Sequence, residues 1–357
     1  LVSDGGANAV ALHLDAKAPE EDVRRLREVL RSPSTAALSI SSASSPPPPG
    51  PGRGRAVTTR GFNSTKAARR GLRQVDSSRE RALGEVILLR RSRVTYMGIS
   101  MVDVTLRGIS ALLASGGDWR HFINLSLEDY PTMPMDNVRR LLAGFSPLAN
   151  FMELSLGRFG FTNVVIDPGL YIADSGELEE HGWRGRPTQF SVCKGSAWMI
   201  LSRDFARYAA GGGALDMAPV NKHSTATIVV NGEEYDGFPR SLLLYFANYP
   251  RPAESYFQTL IAHSRYARTL VPFPMRYDYW PQCGSGGCQH PADLGMKHLA
   301  GMLEAAPLFA RKFKADPSAF ASSGDERSEL TRWVDARLHR GGQGNATYLV
   351  AALAAAD

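Results

Sequence analysis

Three separated segments of the 357-residue chain carry side chains whose types could act together on one substrate. Pro252-Ala253-Glu254-Ser255-Tyr256-Phe257 sets a lone carboxylate just after a turn, at the head of an apolar-periodic stretch that also holds Leu260 and Ile261. Upstream, Gly195-Ser196-Ala197-Trp198 opens a run that ends at Phe205. Downstream, Pro307-Leu308-Phe309-Ala310-Arg311-Lys312-Phe313 places two cations side by side behind an apolar lead. A base, an aromatic wall and a paired cationic clamp suit transfer of a sugar from an activated nucleotide. The acceptor hydroxyl, whose pKa lies far above neutrality, must lose its proton as it attacks, and Glu254 is the candidate base. The departing diphosphate gathers negative charge that a divalent metal or fixed cations must meet. Arg311 offers a planar fork and Lys312 a point charge.

Taken singly, each residue has an ordinary structural reading. A Glu at a helix start satisfies the helix dipole, and an Ala-Arg-Lys-Phe run is a solvated helix face. Trp198 reads as core, Asp129 before Tyr130-Pro131 as a turn residue, and Asp15 after a strand as a cap. A glycoside hydrolase would need two carboxylates across the scissile bond, and the chain offers one convincing candidate.

The elements that must position these residues follow from periodicity. Ala9 to Ala16 reads as a strand, and Pro19-Glu20-Glu21-Asp22 opens a helix with acids in its first turn. Glu85 to Leu89 and Phe122 to Leu125 read as core strands, with a helix over Ile99 to Ala114 between them. A helix from Asp136 to Ala143 leads to the strand Val164 to Tyr171. The run from Gly195 to Ser202 is a strand handing over to a helix capped by Ser202, and a further helix covers Arg240 to Asn248. Strands alternating with helices predict a parallel-rich α/β sheet, whose ligands gather beyond the carboxyl ends of the strands, where Asp15 and Asp129 lie. The Ser- and Pro-rich segment from about 32 to 78 reads as a disordered insertion, and 211 to 237 as a second one. The expected organisation is one domain over 1–320 with a carboxyl-terminal extension over 321–357.

The net charge of +6 is local. Between Arg53 and Arg93 there are 12 Lys/Arg and 3 Asp/Glu, which leaves the rest of the chain net acidic. A basic, Gly/Ser-flanked stretch with a single aromatic, Phe62, argues for a solvated insertion and against a nucleic-acid site. No apolar run approaches the roughly 20 residues that a membrane-spanning helix needs. Of three cysteines, Cys193 sits in an apolar context and is expected to pack. Cys283 and Cys288 bracket a glycine-rich loop that could close into a disulfide, or hold a metal together with His290 were a fourth ligand present. Asn63-Ser64-Thr65 and Asn345-Ala346-Thr347 are glycosylation acceptors that fit a secretory lumen, whereas Asn124-Leu125-Ser126 lies in a predicted core strand.

Asp118 to Pro131 (DWRHFINLSLEDYP), Val94 to Gly98, Ile166 to Tyr171, the GSAWMILSRDF run, PAESYFQTLI and FARKF resemble, in order and spacing, one family of enzymes. It comprises the core-2/I-branching N-acetylglucosaminyltransferases, the peptide xylosyltransferases and the plant arabinogalactan glucuronosyltransferases, with the plant branch nearest. The resemblance implies a GT-A type nucleotide-diphospho-sugar fold that lacks here the family's first strand and helix. It further implies an inverting, metal-independent mechanism with no cofactor, a UDP-sugar donor, and a glycan or glycoprotein acceptor. Location would be the Golgi lumen, as a type II membrane protein whose anchor lies outside this chain. By the same resemblance Glu254 is the base, and Arg311 and Lys312 grip the donor diphosphate. Asp129 lies near donor sugar and ribose, Asp15 near the uridine, and Trp198 lines the sugar site. Glucuronate is the first expectation for the sugar, ahead of xylose and N-acetylglucosamine; a carbohydrate-binding relic of the same fold is the alternative. The plant-type DWDW reads Asp118-Trp119-Arg120-His121 here, which leaves acceptor specificity less defined than diphosphate binding.

Overall fold

The computed structural model describes residues 2–3, 8–21, 23–24, 28, 38–42, 84–159, 161–169, 177–211, 228–230, 233–235, 237–282, 290–314 and 328–339. The amino-terminal sheet is wholly parallel: Gly84–Leu88 lies between Asn8–Leu12 and Leu38–Ser42. The last of these strands falls inside the segment that composition assigns to a disordered insertion, and this is a correction. Its Leu-Ser-Ile-Ser-Ser sequence keeps a β-branched residue in an alternating frame, which suits a sheet edge. The remainder of that insertion, 32–37 and 43–78, lies outside the described residues.

The central sheet has five strands, in the order Val2–Ser3, Trp119–Ile123, Ile200–Ser202, Asn150–Phe151 and Leu270–Val271. Only the last pairing is parallel. The expectation of a parallel-rich sheet therefore holds for the amino-terminal sheet alone. Between Trp119–Ile123 and Ile200–Ser202, which run antiparallel, the chain passes through Asn150–Phe151 of the same sheet and two separate pairings, Ser155–Phe159 with Val192–Lys194 and Asn163–Ile166 with Glu179–Trp183.

Side chains of the central sheet alternate between two cores, as strand geometry dictates. Leu201, Phe122 and Met152 join the helices Ser100–Ala114, Arg203–Ala210, Phe238–Phe246 and Tyr256–Ala262 on one face. Ile200 and Phe151 join Val138 and Leu142 of the helix Met135–Ala143 on the other, with Leu308 and Phe309. Ser202 caps Arg203–Ala210 as its position predicts, its side chain accepting from the Phe205 amide at 3.2 Å. A third sheet, with Phe309–Arg311 parallel to Arg276–Asp278 and antiparallel to Tyr130–Pro131, carries the paired cations.

The expected carboxyl-terminal extension is in part integral to the domain. Leu330 and Val334 of the helix Glu329–His339 are buried against Ala310 and Phe313, and the Tyr130 hydroxyl donates to Asp335 at 2.5 Å. Within the expected second insertion, Ile228–Val230 and Glu233–Tyr235 form an antiparallel hairpin.

One glycine decides whether the tryptophan loop can lie where it does. A Cβ on Gly195 would stand 2.0 Å from the carbonyl oxygen of Glu153 and 2.7 Å from its carbon. Those are backbone atoms that cannot swing aside, so the whole loop would have to lift. Gly195→Ala is expected to destabilise the fold by about 1–3 kcal/mol, the range for overpacking a filled site. Chemical denaturation checks it, and an unchanged midpoint would mean that the loop is free to move.

Candidate active site

The Glu254 turn is built by its helix. Tyr256, Phe257, Leu260 and Ile261 are almost wholly buried, so Tyr256–Ala262 is locked into the larger core and presents Glu254 at its amino-terminal end. Arg251, in the left-handed region at φ 57°, reverses the chain just before the short turn Pro252–Glu254.

The same helix grips the loop that carries Trp198. The Cys193 amide donates to Thr259 Oγ1 at 3.0 Å, the Gln258 side-chain amide donates to the Ser196 carbonyl at 2.7 Å, and the Gly195 amide donates to the Glu254 carbonyl at 2.9 Å. These bonds fix Glu254 and the Trp198 loop as one unit. Lys194 Nζ stands 3.6 Å from the Glu254 carboxylate, with both side chains about two-fifths exposed. Asn124 ties the loop's far end to the central sheet by donating to the Ala197 carbonyl and accepting from the Met199 amide, both at 2.8 Å. Its side chain is thus committed to structure, although the strand ends at Ile123, so Asn124 is only half-buried and the expected core strand does not extend to Leu125, which is exposed.

Trp198 is the point where the two halves of the candidate site meet. The Arg311 guanidinium lies 4.3 Å from its ring centroid and the Arg276 guanidinium 5.2 Å, so the indole is held under two cations. Trp198 therefore belongs to the site and not to the apolar core. The Asp129 side chain is fully buried and pairs with Arg276. Its other oxygen accepts from the Ser126 amide and hydroxyl, each at 2.6 Å. Arg276 completes the arrangement by donating to the Asn124 carbonyl at 2.9 Å. Burial pulls the Arg276 guanidinium below its ordinary pKa, and the Asp129 charge opposes that shift. Arg311 Nε lies 3.9 Å from Asp129. Arg311 and Lys312 both face Glu128, at 3.6 and 3.5 Å.

Five of the six residues singled out from sequence, Asp129, Trp198, Glu254, Arg311 and Lys312, thus join through one chain of contacts. Asp15 stands apart from it. Among the described residues its carboxylate accepts from the Lys17 and Val94 amides at 2.8 and 3.3 Å and pairs with Lys17 Nζ at 3.8 Å. It does lie beyond the carboxyl end of Asn8–Leu12, as expected. Beside it, His13 Nε2 accepts from the Ser92 amide at 3.2 Å, and burial holds its imidazole below the ordinary pKa. Asp167 of the Ile166-Asp167-Pro168-Gly169 segment is fully buried and accepts from the Ser100 and Gly169 amides, each at 2.7 Å. It caps the helix Ser100–Ala114 from outside.

Sequence reasoning missed Arg276, Glu128 and Lys194. A lone arginine in the short apolar run around Met275 was the available signal for Arg276, since such a charge is buried only with a partner. Cys193 is buried and free, and burial raises its thiol pKa. Residues 283–289, with Cys283 and Cys288, lie outside the described residues, as do both expected glycosylation acceptors. Among the described residues no group of three or more His, Cys, Asp or Glu side chains is placed to hold a metal ion, and no helix is long and apolar enough to cross a membrane.

The buried pair yields a direct expectation. Asp129→Asn keeps the shape but leaves the Arg276 charge uncompensated in the interior. Loss of about 3–5 kcal/mol of stability is expected in denaturant unfolding; a loss within about 0.5 kcal/mol would show that water reaches the pair.

Comparison with known proteins bears on this arrangement. Residues 63–303 match the model of the Branch family, the core-2/I-branching enzymes. The chain is 31% identical over 241 residues to a beta-glucuronosyltransferase of Arabidopsis thaliana, GlcAT14B, covering 64% of this chain and 49% of that protein. To a second, GlcAT14A, it is 30% identical over 244 residues, covering 65% and 48%. A xylosyltransferase of Ciona intestinalis is 26% identical over 246 residues, covering 63% of this chain and 25% of its own length. The chain spans about half the length of the two Arabidopsis relatives. With the family model matched along most of the chain, over the segments that build both the mixed α/β core and the Trp198–Glu254 unit, this protein belongs to the core-2/I-branching enzyme family and has its GT-A type fold.

Proposed function

We propose that the chain is an inverting glycosyltransferase that moves a sugar from a UDP-α-sugar to a hydroxyl of a glycan or glycoprotein, forming a β linkage. The observation that carries this reading is the clasp in which the Glu254 turn, the Trp198 loop and the Arg311–Lys312 pair are held as one unit. A single displacement inverts the anomeric centre: the nucleophile enters as the diphosphate departs from the other face. Glu254 takes the proton of the entering hydroxyl. Arg311 and Lys312 meet the charge that grows on the leaving diphosphate, which is the task a divalent cation performs in other sites, so the reaction is proposed to need no metal and no cofactor. Arg311 is preset for this by its stacking on Trp198 and its ion pair with Asp129, so little reorganisation attends the moment of reaction.

Glucuronate is the proposed sugar, since two Arabidopsis relatives are beta-glucuronosyltransferases; xylose and N-acetylglucosamine follow. Asp129 is proposed to lie near donor sugar and ribose, Trp198 to line the sugar site, and Asp15 to lie near the uridine. The proposed location is the Golgi lumen, with a membrane anchor outside this chain.

Glu254→Gln is expected to reduce transfer at least a hundredfold, the lower end of what a general base contributes. UDP affinity should stay the same; retained turnover in a UDP-release assay would remove Glu254 from the role. Calorimetry with Arg311→Ala/Lys312→Ala is expected to show UDP affinity reduced by a hundredfold or more, while a chelator leaves the wild-type affinity unchanged. An undiminished affinity in the double variant would refute the clamp, and a loss on chelation would favour a metal.

A further inference from the structure

We propose that Glu128 is a built-in placeholder for the donor diphosphate: its carboxylate occupies the clamp when no donor is bound and must swing out for the donor to enter. The inference rests on the reading of Arg311 and Lys312 as the diphosphate clamp and adds a residue that sets its affinity and its choice of ligand.

The geometry is specific. One carboxylate oxygen, Glu128 Oε2, lies 3.6 Å from Arg311 Nη2 and 3.5 Å from Lys312 Nζ, so a single anionic atom bridges both cations. An oxygen of a bound phosphate could bridge the same two cations at closer, hydrogen-bonding range, about 2.7–2.9 Å. The bridge is made by the residue best able to leave it. The Glu128 side chain is 34% exposed, against 12% for Arg311 and 15% for Lys312, so the cations are fixed and the carboxylate stands on the solvent side.

The Glu128 main chain is held in place. Its amide donates to Ser126 Oγ at 3.2 Å and its carbonyl accepts from the Phe313 amide at 2.8 Å. Only the side chain is left to move, and rotamer changes suffice. When it leaves, Arg311 keeps its stacking on Trp198 and its pairing with Asp129. The Lys312 main chain stays tied as well, its carbonyl accepting from the Leu294 amide at 2.8 Å, so the Arg311 half of the clamp holds its shape without Glu128, which separates the placeholder from a positioning role for that residue.

Two consequences follow for ligand choice. With Glu128 in place, the clamp's two positive charges are offset by one negative charge, so a ligand must present enough phosphate charge to displace a carboxylate. A diphosphate does this better than a monophosphate. The carboxylate also covers two cations that would otherwise hold stray anions, and so acts against wrong ligands.

The test is the affinity of Glu128→Gln, nearly isosteric, measured on the full chain by calorimetry with UDP, inorganic pyrophosphate and uridine. Removing the competitor should tighten UDP and pyrophosphate about three- to tenfold, the scale of two partly exposed ion pairs. Uridine affinity should not change, and the salt dependence of UDP binding should steepen. In the background of Arg311→Ala/Lys312→Ala the same substitution should have no effect, since the pairs it relieves are gone. Unchanged or weaker UDP binding by Glu128→Gln would overturn the placeholder, and so would a gain that persists in that background. If the Arg311/Lys312 double variant itself binds UDP as the wild type does, the clamp falls and the placeholder with it. A clamp effect without a Glu128 effect sinks only the placeholder.

Discussion

The buried pair of Asp129 and Arg276 is the constraint around which the candidate site is arranged. A guanidinium in the interior demands a compensating charge, and Asp129, whose side chain is fully buried, supplies it. With its partner fixed, Arg276 bridges to the Asn124 carbonyl and approaches the Trp198 ring. Asn124 in turn clamps both flanks of Trp198. Arg311 completes the set between the indole and Asp129. Two arginines share one aromatic ring and one carboxylate, so like charges that would repel in isolation are held close together. The arrangement places fixed positive charge where an anionic leaving group could use it, with little loss on reorganisation.

The second organising relation is the grip of the helix Tyr256–Ala262 on the loop 193–198. A helix of two turns has little intrinsic stability, and this one is held by burial of most of its side chains. It therefore transmits the position of the core to Glu254 at one end and, through Gln258 and Thr259, to the Trp198 loop alongside. Gly195 allows that loop to touch the Glu153 backbone, which brings the loop and the turn into register. The Glu254 turn and the Trp198 loop are thereby set by packing, while Arg311 is set by electrostatics. Trp198 belongs to both systems.

Much of the local structure was legible from sequence, and for definable reasons. The helix Ser100–Ala114 follows from its apolar stripe, and the Ser202 cap from a hydroxyl at a strand-to-helix junction. Glu254, Trp198 and the Arg311–Lys312 pair could be singled out as candidates because short motifs keep chemistry-bearing residues adjacent. Other features were not legible. Leu38–Ser42 is a strand within a Ser-rich stretch, because pairing with Gly84–Leu88 supplies what its composition lacks. The largely antiparallel central sheet was concealed because strands of two to five residues carry too little pattern to state their direction.

What the sequence by itself determined was the inventory: a carboxylate after a turn, an aromatic, two adjacent cations, and the family whose motifs place them in that order. These are properties of neighbours along the chain, which any local reading can see. The tertiary structure alone decided that Asp129, expected at a turn, is the buried partner of an arginine 147 residues away, and that Glu128 beside it faces solvent and bridges the clamp. Adjacent residues with the same charge received opposite environments. Burial and ion pairing depend on which distant segments fold against a position, and no spacing along the chain records that.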